Sequence, residues 1–267
     1  MIDTHTHCHH SHDSKQSPRD MIEKAIALNM EYLAITDHYD AELTLLPEFD
    51  YIPQIDLERH FAELSSLKEE YKDKIQLGVG IECGYMKEAN PLYLDNLAKY
   101  DFDLTINSIH TIEYEDCYMK SYFDKRSKFE AYNAYLKAVR ESLDCPYHYD
   151  VVGHIGYVAR KATYPDPMLY YQDHKDLLDD ILLTIIDKGK ALEINTNSKG
   201  TGLDFLPSKE IVERYRTLGG SLLTFGSDAH AIERISDKYP LVVDYLKSIG
   251  FEYIFKYISH KPIAVKL

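Results

Sequence analysis

The feature that most constrains this chain is a regular alternation. Short apolar runs of β-type composition are separated, from end to end, by amphipathic helical patterns. The β-type runs occupy 1–7, 32–38, 75–82, 102–110, 149–156, 191–197 and 221–230, with a weaker eighth at 251–258. Helical patterns fill 18–29, 56–73, 91–99, 126–143, 172–188, 208–217 and 240–249. In the second of these, Leu57, Phe61, Leu64, Leu67 and Tyr71 recur at three- and four-residue steps. Pro18, Pro91 and Pro207 stand near helix starts, and Gly189, Gly219, Gly220 and Gly250 stand where helices should stop. The runs at 75–82, 149–156 and 221–226 are apolar on consecutive residues, as strands covered on both faces require. Seven or eight such strand–helix units predict an α/β fold whose parallel strands close into a TIM-like barrel. With no linker, composition break or repeat, residues 1–267 are expected to form a single domain.

Composition removes several function classes. A hydrophobic content of 45% excludes a disordered chain, and 12 Gly with 10 Pro exclude a collagen-like one. No apolar run approaches the roughly 18 residues of a membrane span, so no membrane association is expected. The segment Met1–Ser14 lacks the basic and apolar regions of a signal peptide. The four Cys have no C-x₂₋₄-C spacing and form no disulfide framework, which suits a reducing cytoplasm. The net charge of −14, with no basic stripe, argues against long nucleic acids as partners. A small substrate associated with cations is compatible with it, and the sequence assigns no oligomeric state.

The thirteen His carry the functional signal. His5 and His7 end the first run, His38 the second, Glu82 the third and His110 the fourth. His154 lies near the end of the fifth run, Asp228 and His230 end the seventh, and His12 follows the first. In a parallel barrel the carboxyl ends of all strands share one rim, so these residues are expected to converge. A single His at a strand end is ordinary. Core packing, however, has no use for seven imidazoles and two carboxylates at equivalent positions. Imidazole with carboxylate suits zinc, manganese or iron, and nine ligands exceed what one ion can use; two or three divalent ions are implied. His9 and His10 are alternatives to His12 as a ligand, or substrate contacts. His60, His148, His174 and His260 read as structural residues.

These motifs are Asp3-Thr4-His5-Thr6-His7 with His12, Thr36-Asp37-His38, Gly80-Ile81-Glu82, Ser108-Ile109-His110, Gly153-His154 and Ser227-Asp228-Ala229-His230. In this order the chain resembles, along essentially its whole length, the polymerase and histidinol phosphatase (PHP) family. The resemblance implies a distorted (β/α)₇ barrel holding a trinuclear metal centre. Carried over residue by residue, it places one ion on His5, His7, Glu82 and Asp228. A second falls on Glu82, His110 and His154, and a third on His12, His38 and His230. The length of the chain and the segment Leu192–Asn197 are similar to the branch acting on L-histidinol phosphate, an ester of histidine biosynthesis. The alternative within the family is a phosphoesterase for a nucleotide, a short oligonucleotide or a phosphotyrosine protein. A non-catalytic metal-binding protein would be expected to have lost ligand positions, whereas all nine are present.

The implied chemistry assigns further roles. Glu82, bridging two ions, is expected to hold a metal-bridged hydroxide in place for in-line attack on phosphorus. Asp228 is expected to handle the proton, with His230 as the other candidate. Arg160, whose planar fork matches two phosphate oxygens, is the first candidate for the phosphate, ahead of Lys161 and Lys199. Asn195 is a further substrate contact. Glu113, Glu115 and Asp116, in the loop after His110, are candidates for the cationic end of the substrate.

Overall fold

The computed structural model describes residues 1–267. Seven parallel strands form one sheet in the order β1 (Ile2–Asp3), β2 (Tyr32–Tyr39), β3 (Gln76–Gly84), β4 (Leu104–Ser108), β7 (Val151–Val152), β8 (Ala191–Asn195) and β9 (Leu223–Gly226). Backbone bonds then join the first and last members: Thr4 N donates to Phe225 O at 2.9 Å, Asp228 N to His5 O at 2.8 Å, and His7 N to Ala229 O at 2.9 Å. The sheet therefore closes on itself as the alternation predicts. Each strand begins or ends within a few residues of its expected run, although β1 and β7 keep only two residues in regular pairing.

Helices α1 (Pro18–Ala27), α2 (Leu57–Tyr71), α3 (Asn90–Leu97), α5 (Lys128–Ser142), α6 (Lys175–Asp187), α7 (Lys209–Thr217) and α8 (Tyr239–Ser248) coincide with the seven helical patterns. Ser127 caps α5 in a capping box with Glu130, so two otherwise orphaned donors are satisfied reciprocally. A cluster of 69 buried hydrophobic residues runs from Ile2 to Tyr257. No helix is long and apolar enough to cross a membrane.

Two regions lie outside the simple repeat. After β4 the chain makes a short antiparallel hairpin, β5 (Thr111–Ile112) with β6 (Glu115–Asp116), and then the short helix α4 (Lys120–Asp124). The weak eighth run becomes β10 (Tyr253–Ile258), which pairs antiparallel with β11 (Lys261–Lys266) and does not enter the barrel. Its burial is uneven: Ile254 and Tyr257 are buried, Tyr253 is exposed and the others are only partly covered, unlike the continuous burial of the barrel strands. This hairpin seals the end of the barrel opposite the His-rich rim. There the buried Tyr32 hydroxyl donates to Tyr257 O at 2.8 Å, and His260 Nδ1 meets Asp150 Oδ2 at 2.7 Å.

The barrel interior is narrow, and glycine makes room in it. A Cβ on Gly80 would lie 2.6 Å from Leu104 Cδ2 and 2.7 Å from Thr36 Cγ2. One on Gly226 would fall 2.2 Å from Glu193 Oε1 and 2.7 Å from the His5 Cβ, so the last strand needs glycine where it passes the rim.

Candidate metal centre

The rim gathers the residues that the sequence scatters. His38 and Glu82 are register partners on β2 and β3. His110 and His154 each lie two residues beyond their strands, as does Asp228 beyond β9. Glu82 is the hub. Its Oε2 is 2.9 Å from His38 Nδ1, 3.3 Å from His5 Nε2 and 3.6 Å from His7 Nε2. Its Oε1 is 2.8 Å from His154 Nε2 and 3.4 Å from His110 Nε2, and accepts from Ser108 Oγ at 2.7 Å. His7 Nε2 also lies 3.3 Å from Asp228 Oδ1, and His230 Nδ1 is 3.5 Å from the same oxygen. The ligand atoms of His5, His7 and Glu82 lie within 4.8 Å of one another. So do those of His5, His154 and Asp228, and those of His7, His38 and His230.

The donor set fits divalent cations better than it fits hydrogen bonding alone. His5 Nε2 and His7 Nε2 face each other at 3.0 Å. His7 stacks between His38 and His230, with ring centroids 4.3 and 4.2 Å away. Five imidazole nitrogens crowd within 3.6 Å of the two Glu82 oxygens, and Ser108 Oγ already donates to Oε1, more neighbours than one buried carboxylate can satisfy by hydrogen bonding. Burial and the charges of His230 and His38 press His7 down to about 3, so it presents a neutral ring, the form that ligates metal. Burial alone would raise the Glu82 carboxyl, but His5, His38 and His110 hold it well below its ordinary value. Asp228 is likewise kept anionic, against its burial, chiefly by Arg160 and His5.

A cleft of about 940 Å³ opens above this cluster. Arg160 lines it but is not free: its Nη2 donates to Asp228 Oδ2 at 2.9 Å and to Asn195 Oδ1 at 3.0 Å. Lys199 also lines the cleft, whereas Lys161 is outside its lining, with its ammonium over the ring of Tyr118 at the cleft wall. His12 is exposed at the mouth, its ring centroid 5.6 Å from that of His38. Next to it, the Asp13 carboxylate reaches 3.1 Å from His230 Nε2 and 3.8 Å from His38 Nε2. Glu113 and Glu115 lie outside the cleft lining and pair with Arg126, at 3.8 and 3.0 Å. Asp116 is the acid of that loop that faces the cleft, because the β5–β6 hairpin turns alternate side chains apart. His9 and His10 converge on Glu63 instead of the cluster. Of the remaining His, His60 meets Asp37 at 3.2 Å, His174 stacks on Phe129, and His148 and His260 both approach Asp150.

Three functional residues escaped sequence reasoning. Asp40, two residues beyond His38 on the same face, lies 3.1 Å from His110 Nδ1; the i, i+2 spacing was its available signal. Asp13 is masked by the His-rich stretch around it. Glu193 lies deeper. It accepts from His5 Nδ1 at 2.6 Å, the His154 backbone N–H at 2.8 Å and Asn195 Nδ2 at 3.1 Å, and so fixes the His5 ring and the backbone that carries His154. Outer partners of this kind are usually worth about 10–100-fold in metal affinity or activity. Glu193→Gln is therefore expected to lower both by that factor, read by metal analysis and steady-state kinetics on the same preparation.

The backbone at Asp228 adds a further constraint. It sits at φ +51°, in the left-handed region, held by its N–H on His5 O and by Arg160 on its carboxylate. Strain of this kind persists where the surroundings over-determine it, commonly at active sites.

Comparison with known proteins agrees with this geometry. Residues 3–197 match the PHP domain family. The chain belongs to the PHP family. Among PHP relatives, a probable histidinol-phosphatase of Clostridium acetobutylicum is 33% identical over 234 residues, covering 86% of each chain. The histidinol-phosphatase of Lactococcus lactis is 31% identical over 238 residues, covering 87% of this chain and 85% of its own. The crystal structure of histidinol phosphate phosphatase from Lactococcus lactis, complexed with zinc, L-histidinol and phosphate, aligns with a TM-score of 0.87. That alignment has 28% identity and covers 98% of both chains. The PHP barrel thus accounts for the seven-strand order, and the rim cluster lies where such barrels present their loops.

Proposed function

We infer that this protein is a phosphoric monoester hydrolase that converts L-histidinol phosphate to L-histidinol and phosphate. The observation that carries the reading is the near-complete structural match to a PHP barrel holding zinc, L-histidinol and phosphate, over a chain with its own His–carboxylate rim. We further read the centre as trinuclear, with His5, His7, Glu82 and Asp228 as one ligand set. Glu82, His110 and His154 make the second, and His38 and His230 belong to the third. His12 and Asp13 compete for the remaining place in that set, and the approach of the Asp13 carboxylate to 3.1 Å from His230 Nε2 supports Asp13. Zinc, manganese and iron all suit such donors. Divalent ions held there supply Lewis acidity that activates water at neutral pH and offsets charge on the phosphoryl oxygens.

The chain's own groups do the rest. Asp228 has Oδ2 occupied by Arg160, while Oδ1 faces His7 and His230. Oδ1 is thus the oxygen turned towards the ligand set, and Asp228 is read as the residue that takes a proton from the attacking water and returns one to the departing alkoxide, with Arg160 holding its carboxylate in place. Arg160, fixed through Nη2 by Asp228 and Asn195, lines the cleft, and its guanidinium fork suits a phosphate oxygen there. Asp116 suits the cationic end of the substrate. Four free cysteines support a reducing, cytoplasmic setting, and the continuous core supports one domain over 1–267.

The test is phosphate release from histidinol phosphate, compared with a mononucleotide, a short oligonucleotide and a phosphotyrosine peptide at equal metal loading. Activity is expected on histidinol phosphate foremost. Chelation should abolish it, and Zn²⁺ or Mn²⁺ should restore it. Full turnover after exhaustive chelation, verified by metal analysis, would overturn the reading.

A further inference from the structure

We propose that His9, His10 and Glu63 form a second, separate site that binds one divalent transition-metal ion and clips the loop after β1 to helix α2. His10 Nε2 lies 3.0 Å and His9 Nε2 3.6 Å from the same atom, Glu63 Oε2, and the three ligand atoms all fall within 4.8 Å of one another. Tetrahedral zinc with ligands at about 2.0–2.1 Å sets its donor atoms roughly 3.3 Å apart, between the two observed separations. Two imidazoles and one carboxylate, with the fourth position left to solvent, are a donor set that zinc accepts.

The site is built, not incidental. Its two rings come from a loop whose path is fixed below them: the buried Asp37 Oδ1 accepts from Cys8 N at 2.7 Å, Ser11 N at 3.2 Å and Ser11 Oγ at 2.7 Å. The side chain of His10 is only 5% exposed and packs edge-on against His60, with ring centroids 5.3 Å apart. Glu63 projects from a different element, α2, and pairs with no Lys or Arg; the two imidazoles are its ion-pair neighbours. A lone carboxylate facing two rings is the charge pattern a dication completes. The site opens to solvent, with His9 and Glu63 each 34% exposed, so it should load after the buried cluster and release its ion first.

The experiment uses the enzyme with its buried cluster already loaded. Titration with Zn²⁺ followed by calorimetry, and with Co²⁺ followed by its visible absorption, is expected to show one further equivalent of metal in the unmodified protein. In Glu63→Gln and in His9→Gln that equivalent should bind about 100-fold more weakly or be lost, since an outer-sphere partner alone is commonly worth about 10–100-fold. Added Zn²⁺ should raise the melting temperature of the unmodified protein but not that of Glu63→Gln. Phosphatase turnover of Glu63→Gln at stoichiometric metal should stay unchanged, which separates this site from the catalytic one. Equal stoichiometry and equal thermal shifts in the unmodified protein and Glu63→Gln would overturn the proposal, whatever the substrate proves to be.

Discussion

Glu82→Gln is expected to lower turnover of histidinol phosphate by about 10³-fold or more and to lower the metal content of the purified protein. Glu82 is fully buried and is the one carboxylate within 3.6 Å of five imidazoles, His5, His7, His38, His110 and His154. The amide keeps the volume and one acceptor oxygen but removes the charge that the two proposed ligand sets would share. Metal Lewis acidity contributes several kcal/mol to a phosphoryl transition state, and a loss of about 4 kcal/mol corresponds to about 10³-fold at 1.36 kcal/mol per decade. Metal analysis by mass spectrometry and steady-state kinetics on the same sample would check both halves. Normal turnover at normal metal content would remove Glu82 from the centre.

The second large effect belongs to Arg160→Met. Its guanidinium is buried against Asp228, and methionine replaces the stem while deleting the charge. Breaking one side of a buried ion pair usually costs about 3–5 kcal/mol, because the other charge is left uncompensated. For a chain of this size that is a drop in melting temperature on the order of 10 °C. The full drop is expected in metal-stripped protein and a smaller one after metal loading, since bound cations would take over compensation of Asp228. Activity should fall by roughly 10²–10³-fold even when metal is restored, as for removal of one donor to a developing anion. A metal-independent thermal shift would mean that Asp228 does not face the cluster's ions.

Much of this molecule was readable one residue at a time. The runs 75–82 and 221–226 are buried on both faces as β3 and β9 because apolar residues and glycine occupy neighbouring positions in them instead of alternating with polar ones. The helical patterns hold because their apolar stripe meets the barrel, as with Leu57, Leu64, Leu67 and Tyr71 of α2. Eight of the nine expected residues meet at the rim because each sits at or near the end of a run, and parallel topology turns that one-dimensional position into a shared location; His12, in the loop after the first run, had no such anchor. Arg160 was legible as a cation near the site but not as the partner of Asp228, since no local pattern connects residues 68 positions apart.

Sequence by itself determined the alternation of strands and helices, the closed parallel arrangement and the chemical type of the rim, because periodicity and strand-end position are local quantities that burial must respect; that the eighth run stays outside the barrel was decided by the tertiary structure. Tertiary structure alone decided which loop residues reach the cleft. Asp116 faces it while Glu113 and Glu115 pair with Arg126, and of the two exposed neighbours at its mouth, His12 and Asp13, it is the Asp13 carboxylate that approaches His230 and His38. It also decided that His9 and His10 meet Glu63. Loops carry no hydrophobic period to fix the direction of their side chains, so those choices depend on contacts made with distant segments once the barrel has closed.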